Sequence, residues 1–271
     1  MTETAHVFGS HAGLAGVLCQ PAAGAASDAP AVVFANVGLN HRVGPSRSWV
    51  ECARALAGGG FASLRFDLSG RGDSQPRRDA RSDSERAVLD LTEALDFLEA
   101  SGVARRFVLI ANCSGVDSQH AVALRDPRVA GAVYLDGYAY RNRGYRWRRA
   151  LVRIFELARW RRFLWHRREY RRVRGTAEPL WQRDLPTRGA FAADLAALVA
   201  RELRLLFVFT GGMDLHYNHR SQFHDSFGYR DVVDVEFYKH FDHLLSLAAH
   251  RAAFNARVCG WMRRSFPPAS S

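Results

Sequence analysis

Residues 107–120 read Phe-Val-Leu-Ile-Ala-Asn-Cys-Ser-Gly-Val-Asp-Ser-Gln-His. The four apolar residues Phe107 to Ile110 predict a buried strand, and the stretch after Gly115 predicts a helix. Between them, Ala111-Asn112-Cys113-Ser114-Gly115 is a small-x-Cys-x-small turn. A turn of this kind constrains a fold strongly: it brings strand and helix close together over one strained residue, so the flanking positions must be small. Ala111 and Gly115 meet that need, which puts Cys113 at the tip as candidate nucleophile. Moving the frame by one to present Ser114 would set Asn112 and Val116 at the small positions, a poorer fit. The pentapeptide alone also suits a buried structural cysteine beside an ordinary strand end, because free Cys is among the most buried residue types.

A nucleophilic cysteine requires a base and an orienting carboxylate, here expected after late strands in the order nucleophile, acid, histidine. The run Leu205 to Thr210 predicts a strand, and Gly211-Gly212-Met213-Asp214 follows it as a loop carrying Asp214. After another strand, Val232 to Tyr238, comes Lys239-His240-Phe241-Asp242-His243, read as the opening of a final helix. Asp214 is the preferred acid, with Asp136, directly after Leu135 at another strand end, as its rival.

The order of elements supports the same arrangement. Strands are predicted near His6–Phe8, Leu14–Gln20, Ala31–Ala35, Phe61–Phe66, Phe107–Ile110 and Val129–Leu135, and helices over about Ser46–Ala57, Asp83–Ala100 and Gly115–Leu124. Strands alternating with helices over short connections imply an α/β fold with a mostly parallel central sheet covered by helices on both faces. Sites in such sheets lie beyond the carboxyl ends of the strands.

Three longer segments carry a resemblance: Asn36-Val37-Gly38-Leu39-Asn40-His41-Arg42-Val43-Gly44-Pro45, Arg65 to Ser74, and Cys113-Ser114-Gly115. Over roughly residues 5–265 the chain resembles the α/β-hydrolase superfamily, and within it the bacterial exopolysaccharide- and exosortase-associated hydrolases with a Cys-Ser-Gly nucleophile turn. Ala111 departs from the Gly usual there but is small. A nucleophilic Cys is uncommon in the superfamily, although dienelactone hydrolases and some thioesterases resemble this chain in having one. The resemblance implies His243, directly after Asp242, as base rather than His240. It implies an oxyanion hole from the amides of Leu39 and Ser114, with the loop residue His41 at the substrate, and a helix N-terminus at Gly115 that favours thiolate. Arg71-Gly72-Asp73 is read as a turn of this fold, not as an adhesion motif.

Composition locates the rest. The 271 residues suit an α/β-hydrolase core formed by 1–136 and 203–271, with a helical lid inserted after the sixth strand over 137–202. The formal charge of +11 is concentrated there: residues 141–174 hold fourteen Arg against Glu156 and Glu169. Trp147, Leu151, Ile154, Phe155 and Ala158 recur at helical spacing, so the segment also carries an apolar stripe. A lid whose apolar face covers the site is the plain reading. Arg148, Arg149, Arg161 and Arg162 also suit an anionic substrate or carrier, such as an acyl carrier protein, a coenzyme A ester or an acidic glycan. An anionic membrane surface is a less favoured alternative, and no nucleic acid partner is expected. Cys19, Cys52, Cys113 and Cys259 lack metal or disulfide spacing, so neither zinc nor any other cofactor is expected. The apolar runs are too short for a membrane span and Met1-Thr2-Glu3-Thr4 does not open a signal peptide, so a cytoplasmic protein is expected. Together these residues predict acyl hydrolysis or transfer on an ester or thioester through an acyl-cysteine. The alternative is a non-catalytic protein of the same fold that binds an anionic partner through its basic lid.

Overall fold

In the computed structural model, which describes residues 1–10, 13–22, 28–36, 40–155 and 185–267, the apolar runs form eight strands. These are β1 (Thr2–Phe8), β2 (Leu14–Gln20), β3 (Ala31–Ala35), β4 (Ser63–Phe66), β5 (Phe107–Asn112), β6 (Val129–Leu135), β7 (Arg204–Thr210) and β8 (Val233–Tyr238). They make one sheet in the order β1-β2-β4-β3-β5-β6-β7-β8. β2 runs antiparallel to both β1 and β4, and the strands from β4 to β8 are parallel. The described helices are α1 (Ser48–Gly58), α2 (Asp83–Ala100), α3 (Gly115–Arg125), α4 (Arg143–Phe155), α5 (Arg188–Ala200), α6 (Gln222–Phe227) and α7 (Ala248–Ser265).

The period of two along each strand divides the apolar residues between two cores. On β5, Phe107, Leu109 and Ala111 face one core; on β7, Leu205, Phe207 and Phe209 join them, and α2, α3 and α5 cover that side through Leu91, Leu95, Val116, Val122, Phe191 and Leu195. Val108 and Ile110, with Leu206 and Val208, face the other core, covered by α1 and α7 through Trp49, Leu56, Phe254, Val258, Trp261 and Met262. Central parallel strands buried on both faces read as nearly continuous apolar runs, which explains why they were visible in the sequence. α2 opens on a capping box, in which the Ser82 hydroxyl accepts the Glu85 amide and the Glu85 carboxylate accepts the Ser82 amide.

Two expectations are corrected. Residues 137–202 do not form one inserted unit: Phe191, Leu195 and Leu198 of α5 are fully or almost fully buried in the core with α3, so 188–200 is core helix. The last helix starts at Ala248, not near Lys239, which leaves His243 in the loop between β8 and α7. Arg161, Arg162 and the rest of 156–184 lie outside the described residues, as do the side chains of Ile154 and Phe155. Trp147 and Leu151, expected on a face that covers the site, are exposed.

Candidate active site

β5 ends against its neighbour and then turns sharply. The Cys113 amide donates to the Leu135 carbonyl at 3.0 Å, extending the β5–β6 pairing, while Cys113 itself has φ +51°. That left-handed backbone is costly for a residue with a side chain, and it throws the thiol clear of the sheet end before α3 begins. Ser114, at φ −69°, is the helical N-cap, so the strained position belongs to Cys113. At Gly115 a Cβ would collide with the Asn36 carbonyl, which shows why the turn demands glycine there. Cys113 is half-buried, whereas Cys19, Cys52 and Cys259 are buried and their thiols are pushed up by desolvation.

Opposite the thiol stands His243. Its Nδ1 lies 2.8 Å from Asp136 Oδ2, and its side chain also hydrogen-bonds Cys113. The Asp136 carboxylate, first, and Cys113, second, outweigh the ring's own desolvation and push the imidazole up from 6.5 to about 10. The Asn112 amide group donates to the His243 carbonyl at 3.2 Å, and a Cβ on Gly212 would sit 2.7 Å from that of His243. The histidine loop is therefore seated on both β5 and the turn after β7.

Asp136 ends β6 in the same unusual conformation, φ +48°, and is almost fully buried. Both of its oxygens are engaged: Oδ1 accepts the Thr210 amide at 2.7 Å, and Oδ2 accepts the Thr210 hydroxyl at 2.6 Å as well as the imidazole. The expectation that Asp214 orients His243 is corrected by this geometry. The chain after Thr210 closes a tight 3-10 turn over Gly211–Met213 and carries Asp214 past the histidine to the surface, where its side chain is exposed. What β7 contributes instead is Thr210, and sequence reasoning missed it. Its one signal is a hydroxyl closing the apolar run Leu205 to Phe209.

The other expected residues lie as follows. Ser114 sits directly after Cys113 at the N-terminus of α3. Leu39 lies outside the described residues; the loop on its far side is clamped by Arg42, whose amide donates to Asp67 Oδ1 at 2.6 Å and whose guanidinium pairs with Asp67 and Asp73. Asp73 thus makes Arg71-Gly72-Asp73 part of a turn, closed by the Ser74 amide on the Arg71 carbonyl at 2.9 Å. His41 is exposed in that loop, and His240 is exposed after β8. Arg148 and Arg149 bind protein acceptors: Arg148 Nε donates to Asn218 Oδ1 at 2.9 Å, and Arg149 to the Tyr145 hydroxyl at 2.9 Å and the Asp214 carbonyl at 3.2 Å. Both pin α4 to the loop after β7. Among the described residues no cluster of three or more His, Cys, Asp or Glu is placed to hold a metal ion.

Solved structures share this architecture over nearly the whole chain. An α/β serine hydrolase without lid from Xanthomonas campestris aligns with a TM-score of 0.60 at 11% identity, covering 100% of this chain and 98% of that one. A dienelactone hydrolase from Anabaena variabilis gives 0.59 at 15% identity, covering 98% of each chain. An α/β serine hydrolase homologue from Coxiella burnetii gives 0.59 at 14%, covering 96% of this chain and 97% of that one. No family model and no curated protein sequence matches the chain. The fold is the α/β-hydrolase fold.

Proposed function

We propose that the protein is an acyl hydrolase or acyltransferase that acts on an ester or thioester through Cys113, His243 and Asp136. The observation that carries this reading is the chain of contacts from the Cys113 side chain to His243 and on to the buried Asp136, with Cys113 in the strained turn between β5 and α3. Asp136 holds Nδ1, which leaves Nε2 to exchange a proton with the thiol. An imidazole raised to about 10 favours an imidazolium beside a thiolate at neutral pH, and the N-terminus of α3 adds partial positive charge at the sulfur.

The steps follow from those positions. Cys113 gives its proton to His243, and the sulfur attacks the acyl carbonyl to form a C–S bond. The oxyanion takes hydrogen bonds from the Ser114 amide and, by the resemblance of the Asn36–Pro45 loop, from that of Leu39. As the tetrahedral intermediate collapses, the bond to the leaving alcohol or thiol breaks and His243 returns the proton to it. Water, or an acceptor with its own nucleophile, then gives a proton to His243 and attacks the acyl-cysteine, which releases the thiol. The structures of similar fold are described as serine hydrolases and a dienelactone hydrolase; the cysteine here makes the intermediate a thioester, more reactive toward amines than an oxygen ester.

Intact-protein mass spectrometry with short and long acyl thioesters tests the reading. The expected result is one acyl adduct on the wild type that is absent from Cys113→Ala and present in Cys19→Ala, Cys52→Ala and Cys259→Ala. Turnover in Cys113→Ala should fall by several orders of magnitude. Adduct formation or full activity in Cys113→Ala would refute the assignment, and no adduct with any donor would favour a binding protein of this fold.

A further inference from the structure

α4 is packed the opposite way round from a helix of a globular core. Asn142 starts it, accepting the Tyr145 amide on Oδ1 at 2.8 Å. Toward the molecule it turns Tyr145, Arg148 and Arg149, which share a face at i, i+3 and i+4. All three make polar contacts: the Tyr145 hydroxyl donates to the Leu215 carbonyl at 2.6 Å, and the two guanidinium groups are held as described above. Trp147 and Leu151, four residues apart, point the other way. Trp147 is 69% exposed and Leu151 45%, and Leu215, on the loop beneath, is 52% exposed. Beside them stand the exposed Arg143 and Arg146, while Arg141 is tied back through its Nε to the Leu215 carbonyl at 2.7 Å; residues 141–155 contain six Arg and no acidic residue.

We propose that this face of α4 docks on an anionic lipid surface. Trp147 and Leu151 would enter the boundary between headgroups and acyl chains, with Arg143 and Arg146 on the lipid phosphates. An apolar ridge bearing tryptophan and bordered by arginine is the pattern of helices that lie in that boundary. Charge selects this occupant over a second copy of the chain, since two such faces would bring arginines together without a carboxylate between them. The inward arginines give the ridge its orientation: they fix α4 to the loop after β7, so the apolar side is presented before any partner arrives. The contact proposed is peripheral; among the described residues no helix is long and apolar enough to cross a membrane. The inference does not depend on the role of Cys113.

Co-sedimentation of the full chain with vesicles tests it, using phosphatidylglycerol mixed equally with phosphatidylcholine against phosphatidylcholine alone. The wild type should partition onto the anionic vesicles at least about tenfold better, and raised salt should weaken that binding. Trp147→Ser with Leu151→Ser should reduce binding about tenfold, as should Arg143→Glu with Arg146→Glu, without lowering the melting temperature, because these side chains are exposed. Cys113→Ala should bind as the wild type does. Failure to bind anionic vesicles, equal binding to phosphatidylcholine alone, or binding unchanged in both double variants would overturn the proposal. So would light scattering that shows a dimer dissociated by the Trp147→Ser, Leu151→Ser pair, since the face would then belong to a second copy.

Discussion

Cys113 and Asp136 end adjacent parallel strands, and each does so in left-handed backbone, at φ +51° and +48°. The strain is of order 1–3 kcal/mol for each residue. Its effect is to aim a thiol and a carboxylate at one imidazole over the carboxyl end of the sheet. Asp136→Asn should therefore cost on the order of 10⁴ in kcat by presenting the wrong imidazole tautomer, whereas exposed Asp214→Asn should change kcat little. Steady-state turnover of an acyl thioester checks this, and a larger loss at Asp214 would return the acid to β7. The pH dependence has a definite sign. His243 is raised from 6.5 to about 10, so its positive charge beside the sulfur persists between those limits and is lost as pH rises through the upper one. Asp136→Asn removes the first cause and lowers that value, so iodoacetamide alkylation of Cys113 should become slower than in the wild type within this window. Identical pH–rate profiles for the two proteins would mean that Asp136 does not hold the proton on His243.

At the scale of elements, α5 tests the boundary between core and insertion. Phe191 is fully buried, with ring centroids 5.1 Å from Tyr138 and 5.2 Å from Phe227. Phe191→Ala should cost about 3–5 kcal/mol in urea unfolding; a residue of a detachable lid would cost about 1 kcal/mol or less. Much of the fold was legible because its strands are apolar throughout: Leu14–Gln20, Ala31–Ala35 and Val129–Leu135 have the limits that composition suggests. The strained position of Cys113 was legible for a steric reason, since Ala111 and Gly115 mark where strand and helix meet closely. The aspartate that meets His243 was not, because one after Leu135 and one four residues past Thr210 look alike until the sheet sets which strand end reaches His243. α5 was hidden for a different reason. Its alanine-rich sequence follows an arginine-rich stretch without a break in pattern, and only packing against α3 assigns it to the core.

For the whole molecule, the sheet separates two cores that share no side chains. Leu195→Ala acts on one face and Val258→Ala on the other, and both residues are fully buried. Their unfolding penalties should add within about 0.5 kcal/mol in the double variant, as for independent sites, and a larger deviation would show that the sheet transmits repacking from face to face. The same sheet joins distant parts of the chain at one point. His243 meets Asp136 across 107 residues of sequence and Asn112 across 131, on strands that follow one another in spatial order from the centre of the sheet to its edge. Contacts so distant along the chain bear the full entropy of loop closure, and they form late, once the more local pairings have narrowed the search. During refolding, then, secondary structure should precede the imidazole's arrival at the sulfur, and a chain that has gained most of its helix and strand should still lack the contact between Cys113 and His243.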